Sequence, residues 1–181
     1  MREIILVRHG KPLSAHNNKV NAVDYSKWVR AYDFSELDPS SKPGAPVDFT
    51  NSYVIVSPLK RAKLSAAHLG AIKIDEELPN LKEMDIPYYK LPLKLRAWHW
   101  VLLCRLMWFM GKTGRFESFK DAKKRVVELA EYLKLLSETQ SKIILVGHGL
   151  TNRFLRKKLQ AEGWSLQAKD NKFWGVTRLT R

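Results

Sequence analysis

Two His-Gly pairs, His9-Gly10 and His148-Gly149, stand near opposite ends of a 181-residue chain, and each closes a run of aliphatic residues. Arg8 precedes the first pair, and Arg61 follows shortly after Ser57-Pro58, a pair typical of a helix start. An imidazole held between arginines titrates low, so it stays neutral and nucleophilic. Arginine forks match the geometry of a phosphate, and a helix start adds a positive dipole end. Arg8, His9, Arg61 and His148 therefore suit a multiply charged anion. They could also take over a phosphoryl group, the arginines neutralising its oxygens in place of Mg²⁺. A metal centre is not expected, because two histidines without a clustered carboxylate or cysteine set fall short of a ligand shell.

Such a set needs elements that bring its members to one edge. Ile4 to Val7 and Ile143 to Val146 are short, wholly apolar and β-branched, the pattern of strands buried on both faces. In an open parallel sheet, ligands bind beyond the carboxyl ends of the strands, which is where each histidine sits. Tyr53 to Val56 is another such run, and the proline after Ser57 predicts a helix over 58–69. The remaining pattern predicts a short helix within 21–32, a loop over 39–46, a third strand at 72–74 and an irregular connection over 76–89. A long amphipathic helix is expected over 117–139, a helix over 151–160 and a closing edge strand over 173–179. Strands alternating with helices imply one α/β domain over 1–181, with a largely parallel central sheet flanked by helices.

The chain carries 32 Lys and Arg against 18 Asp and Glu, a net charge of +14. A surface of that sign attracts anions, whether phosphorylated metabolites, nucleic acid or acidic lipid. No nucleic-acid motif accompanies the charge, so nucleic acid is not the expected partner. The single cysteine, Cys104, excludes an intramolecular disulfide and a multi-cysteine zinc site, and its apolar setting marks it as a small hydrophobe. The first apolar run stops at Arg8, which does not fit a signal peptide, and no window is long enough for a membrane span. A cytoplasmic protein, with peripheral membrane association, is the expectation.

Residues 86–116 stand apart. They contain no acidic residue, six basic ones and the stretch AWHWVLLCRLMWFM (Ala97 to Met110), with three of the six tryptophans. Read as a helix over 91–110, this stretch is apolar nearly all round, which fits either a cap over the pocket or a helix at a lipid interface.

VRHG (Val7 to Gly10), SPLKRAKLSA (Ser57 to Ala66) and GHGLTNRFL (Gly147 to Leu155) resemble the three motifs of the histidine phosphatase superfamily, in the branch of small bacterial-type phosphatases. The resemblance implies a phosphoglycerate-mutase-like fold with a helical cap insertion, no cofactor, and phosphate-ester hydrolysis without metal. By position, His9 is similar to the nucleophile that becomes phosphohistidine, and Arg8, Arg61 and His148 to the groups that hold the phosphoryl. Glu83 in LKEMD matches the general acid, with Asp85 in reserve. Lys11, Asn17 and Gly149 extend the expected substrate-binding set. The chain departs from the pattern after Gly10. Lys11 and Pro12 replace the usual acid or amide and hydroxyl residues, and Ala15 stands at the position of a phosphate-binding Asn, leaving His16, Asn17 or Asn18 to substitute. The expected partner is a phosphorylated small molecule or a lipid-like phosphate, with an anionic membrane surface as a further one. A mutase-type phosphotransferase and a non-catalytic anion- or membrane-binding adaptor are the alternatives.

Overall fold

A computed structural model describes residues 1–181. In chain order the elements are β1 (Glu3–Arg8), β2 (Lys19–Asn21), α1 (Ala22–Asp33), β3 (Tyr53–Val56), α2 (Lys60–His68), β4 (Glu76–Glu77), β5 (Lys94–Arg96), α3 (Ala97–Phe109), α4 (Phe119–Leu136), β6 (Lys142–Gly147), α5 (Gly149–Ala161), β7 (Ser165–Ala168) and β8 (Val176–Thr180). A single turn of 3₁₀ helix at Pro79–Leu81 precedes the loop that bears Glu83. Six strands form one sheet in the order β4-β3-β6-β1-β8-β7. The pairs β1/β6, β3/β6 and β3/β4 are parallel, and β8 is antiparallel to both its neighbours.

The aliphatic runs become strands because each successive side chain finds an apolar layer on the opposite face of the sheet. Ile4, Leu6, Ile55, Ile143 and Leu145 meet α4 and α5 through Leu129, Leu133, Leu155 and Leu159. Ile5, Val7, Val54, Val56, Ile144 and Val146 meet Ala62 and Ala66 of α2 and the loop residue Val47. Full burial of each such side chain stabilises by roughly 1.5–3 kcal/mol. Both faces are thus closed, and only the strand ends remain for polar groups.

A separate cluster lies above that end of the sheet. It joins Tyr25, Trp28, Val29 and Tyr32 of α1 to Ala97, Trp100 and Cys104 of α3, with Ile86 and Tyr89. Tyr25 stacks on Trp100 with ring centroids 5.3 Å apart, and Trp28 meets Trp98 edge-on at 5.2 Å. The indole N–H groups are satisfied by main chain, Trp100 donating to the Val20 carbonyl at 2.9 Å and Trp28 to that of His16 at 3.0 Å. The short antiparallel ribbon β2/β5 ties the two halves together. The cap is therefore built from two chain segments. Composition marked only the second, because α1 sits in a polar stretch whose aromatic residues are spaced for one helix face.

Two sequence expectations fail at the sheet's flanks. No strand forms at 72–74, where Ile72 is fully exposed; the edge pairing is made by Glu76–Glu77 instead. Asp75 takes over beside it, its carboxylate accepting the Val54 N–H at 2.8 Å. The C-terminal strand starts at Val176, later than expected, and is not an edge, since β7 lies outside it. β7 had no signal, being four largely exposed residues with an irregular register. Helix α2 also begins later than 58, at Lys60, with Leu59 as its N-cap.

Candidate active site

Parallel pairing of β1 with β6 puts Arg8 opposite Gly147, so the next residues, His9 and His148, emerge side by side. Their ring centroids are 5.0 Å apart. His9 Nδ1 lies 2.6 Å from the Gly10 carbonyl. A carbonyl only accepts, so Nδ1 carries the proton and Nε2 presents a lone pair. Arg61 is consistent with that tautomer, its Nε–H donating to His9 Nε2 at 3.3 Å. Burial, then the repulsion two charged rings would suffer at His9 and His148 and the positive field of Arg61, hold the His9 pKa well below the ordinary imidazole value. His9 is a neutral imidazole at neutral pH, which a nucleophile requires.

His148 is buried as well, and burial, followed by Arg61 and Arg8, depresses its pKa in the same way. Its Nε2 is 2.6 Å from Ser57 Oγ. Ser57 is wholly buried and its hydroxyl meets no acceptor other than His148 Nε2, so its hydrogen is assigned there, while Oγ accepts the Leu59 N–H at 3.3 Å. The ring proton then sits on Nδ1, which has no partner.

Two more donors share that condition. Arg8 Nε and Arg61 Nη2 are buried without an acceptor. Elsewhere both guanidiniums are fixed. Arg61 Nη1 donates to the carbonyls of Tyr32 and Asp33, each at 3.0 Å, and Arg8 Nη1 donates to that of Asn171 at 2.7 Å. Gly149 allows Arg8 to lie this close, since a Cβ there would meet its Cζ at 3.1 Å. Buried polar groups are almost always paired. Three unpaired donors around one neutral imidazole make a cradle for a multiply charged oxyanion. Asp33 borders it, 3.7 Å from Arg61 Nη2, and burial outweighs the arginine to push its carboxyl up to about 6.

Glu83 reaches the same edge from the loop after the 3₁₀ turn. Its carboxylate accepts the N–H groups of Thr151 (3.0 Å), Leu150 (3.3 Å) and Met84 (3.0 Å), together with the Thr151 hydroxyl (3.1 Å). Glu83 so satisfies orphan donors of the first turn of α5, whose N-cap His148 makes no side-chain cap bond. Burial raises its pKa, but Arg105 and the two α5 N–H groups outweigh it and leave Glu83 ionised below the usual carboxylate range.

A cleft of about 360 Å³ opens onto Arg8, Glu83 and Gly149. Its walls come from the cap (Trp98, Val101, Phe109), from Tyr32 and Ile86, and from Leu150 and Arg153 of α5. His9, His148 and Arg61 are buried and do not line it, His9 being only 1% exposed. The structure thus brings Arg8, His9, Arg61, His148, Glu83 and Gly149 to one place. It does not bring Asp85, Lys11 or Asn17 to the cleft. Asp85 accepts the Glu117 N–H at 2.7 Å, Lys11 pairs with Asp38 at 2.8 Å, and Asn17 caps the start of α3 by accepting the Trp98 N–H at 3.0 Å. No group of three or more His, Cys, Asp or Glu could hold a metal ion.

Four contributors were missed by the sequence reading. Arg105 of α3 is buried against the cleft, donates to the Met84 carbonyl at 2.7 Å and lies over Trp108 at 4.8 Å. A single arginine amid thirteen largely apolar helical residues was the available signal. Phe173 covers the Arg8 guanidinium at 4.1 Å and stands 5.7 Å from His9, while Asn171 offers its carbonyl to Arg8. Trp174, at a left-handed φ of 64°, packs on Gly10, where a Cβ would come within 2.2 Å of its ring. These three precede a strand that pairs with β1, and only that pairing puts them over the RHG turn.

The model of the histidine phosphatase superfamily, branch 1, matches residues 45–180. Arg8 and His9 precede that span, so their place in the site rests on the geometry above. Among solved structures, a phosphoserine phosphatase mutant of Entamoeba histolytica in complex with phosphoserine is similar at 17% identity and a TM-score of 0.61, over 98% of this chain and 90% of the other. An open-reading-frame product of Mycobacterium tuberculosis is similar at 16% identity and 0.60, over 99% and 96%. A mycobacterial glucosyl-3-phosphoglycerate phosphatase follows at 17% identity and 0.52, over 87% and 79%. At such identities these neighbours speak to the fold, and no protein of curated function matches significantly. On the family match, which covers most of its length, this chain belongs to branch 1 of the histidine phosphatase superfamily.

Proposed function

We propose that the protein hydrolyses a phosphate monoester through a phosphohistidine at His9. The observation that carries this reading is the neutral His9 with Nε2 free to attack, set among buried donors that lack acceptors: Arg8 Nε, Arg61 Nη2 and His148 Nδ1. A phosphoryl group would supply the missing acceptors. Arg61 Nε, which donates to His9 Nε2, would turn to a phosphoryl oxygen as the nitrogen attacks.

The reaction has two halves. In the first, the His9 Nε2 lone pair forms the bond to phosphorus, the ester P–O bond breaks, and the leaving oxygen takes a proton from Glu83. In the second, water attacks the phosphohistidine and gives a proton to the Glu83 carboxylate, releasing phosphate and restoring His9. The ionised Glu83 suits the second half. The first half requires its protonated form, which the negative charge of an incoming phosphoryl group favours.

The cleft walls favour an ester with an apolar body. Trp98, Val101, Phe109, Ile86 and Leu150 offer hydrocarbon within reach of Arg8 and Glu83. The burial of His9 favours a second reading, an anion-binding module without turnover. Phosphate release from a panel of sugar, nucleotide, peptide and isoprenoid phosphates, measured with a chelator present, separates the two. Release by wild type and none by His9→Ala is the expected result. Dependence on added Mg²⁺ or Zn²⁺ would overturn the cradle as described.

A further inference from the structure

The buried face of α3 is settled by its packing: Ala97, Trp100, Cys104, Arg105 and Trp108 point into the molecule. On the opposite face only Phe109 has a partner, Phe119 of α4. Leu102 is 71% exposed, Leu106 55%, Phe109 40% and Met110 71%, and their spacing of four, three and one residues puts them on one stripe. A helix on a protein surface normally keeps its outward stripe polar. Here it is the outward stripe that carries the large apolar side chains, and only His99 breaks it at the N-terminal end.

What surrounds the stripe is basic. Lys90, Lys94, Arg96, Lys112 and Arg115 are exposed, and no acidic residue occurs from Ile86 to Phe116. Lys123 of α4 adds to the far end. Its ammonium lies over Phe119 at 5.5 Å, and Phe119 packs on Phe109 at 5.0 Å. Of the acidic groups at that corner, Glu117 is paired with Arg125 at 2.7 Å, and Asp121 holds the Ser118 hydroxyl at 2.6 Å and keeps its charge. The stripe is also continuous with the cleft, since Phe109 belongs to both, and Arg153 lines the same cleft.

From this juxtaposition we infer that the outward face of α3 docks on an anionic lipid surface, Leu102, Leu106 and Met110 entering the headgroup region while the basic collar meets the lipid charge. An apolar stripe ringed by lysine and arginine is the composition of a helix lying in an interface. A second copy of this chain fits less well, because a two-fold axis through the stripe would press two like-charged collars together. No helix is long and apolar enough to cross a membrane, so the contact would be made on the surface. The inference does not depend on the phosphatase reading. Combined with it, docking would turn the mouth of the cleft toward the headgroups.

The test is co-sedimentation of the full chain with vesicles of phosphatidylcholine, alone or with about one quarter phosphatidylglycerol. Binding to the anionic vesicles, weakened by salt and slight on neutral ones, is expected. The triple variant Leu102→Ser, Leu106→Ser, Met110→Ser should bind about tenfold or more weakly, since the lost term is apolar insertion. These side chains leave the cradle untouched, so hydrolysis of a small soluble ester should not change. Unfolding temperature checks that the triple variant folds, and Lys112→Glu, a change on an exposed loop, gives a second route to the same loss. Absence of binding to anionic vesicles, or equal binding by both variants, overturns the inference. So does a solution dimer that the triple variant dissolves, because a second copy would then cover the stripe.

Discussion

The cradle and the outer face of α3 reverse the usual distribution of polarity. Around His9, three charged or polar side chains (Arg61, His9 and His148) are buried, while on α3 four large apolar ones face solvent. Burial of the first set is made tolerable by main-chain carbonyls on Arg61, by Ser57 on His148 and by neutral imidazoles. What remains unpaired there is a demand for an anion. On α3 only Phe109 has a partner, and the unmet demand is for hydrocarbon. Each region is thus defined by a missing partner, oxyanion in one and apolar surface in the other.

The deepest break in that comparison comes from Arg61, the one cation wholly enclosed. Arg61→Ala should lose ~3–4 kcal/mol of transition-state stabilisation, the scale of a preorganised charge contact, read as kcat/KM on nitrophenyl phosphate. Arg61→Lys should recover little, because one ammonium cannot serve both carbonyls and a phosphoryl group. Retention of activity by Arg61→Ala within about tenfold would remove it from the cradle.

Glu83 comes next. Glu83→Gln should slow alkyl phosphates by roughly 10²-fold or more and nitrophenyl phosphate far less, since nitrophenolate leaves without a proton. If Glu83 serves only to satisfy the N–H groups of α5, both esters lose equally and stability falls by about 1 kcal/mol.

A smaller effect is read in stability against pH. The folded pKa values of His9 and His148 lie below the unfolded value of 6.5. Between the two values the unfolded chain binds more protons, so the stability due to neutral burial is full above 6.5 and is lost as pH falls toward the folded values. Denaturant midpoints should decline as pH is lowered below about 6.5, and His9→Gln should flatten that decline. A wild-type midpoint that ignores acidification over this window would contradict buried neutral imidazoles.

How much of this was legible in the sequence follows the same division. The strand ends were readable because aliphatic runs buried on both faces have few other fates, and Arg8, His9 and His148 follow those runs directly. Arg61 was readable from its place after Ser57-Pro58. The roof over Arg8 was not. Asn171, Phe173 and Trp174 reach it only because β8 pairs with β1, a contact separated by most of the chain. Lys11 and Asn17 were assigned by following the first motif, yet an ion pair with Asp38 and the cap on α3, both made across the fold, claim them. The cap was half readable. α3 declared itself by composition, while α1 hides its aromatic face among polar residues.

The smallest expected effect sharpens the apolar side. Trp98 lines the cleft and meets Trp28 edge-on, so Trp98→Ser should raise KM for an amphiphilic phosphate several-fold. A small ester should be hydrolysed nearly as before, and equal losses on both would make Trp98 a packing residue only.

The central claim is that His9 carries the phosphoryl group, and labelling quenched in base reaches it most directly. Protein mixed with a ³²P-labelled monoester and quenched within one turnover should hold label that is stable in base and lost in acid. Peptide mapping should place that label at His9, and His9→Ala should hold none. Release of phosphate by wild type with no labelled protein at any quench time, or with label on another residue, would contradict the account.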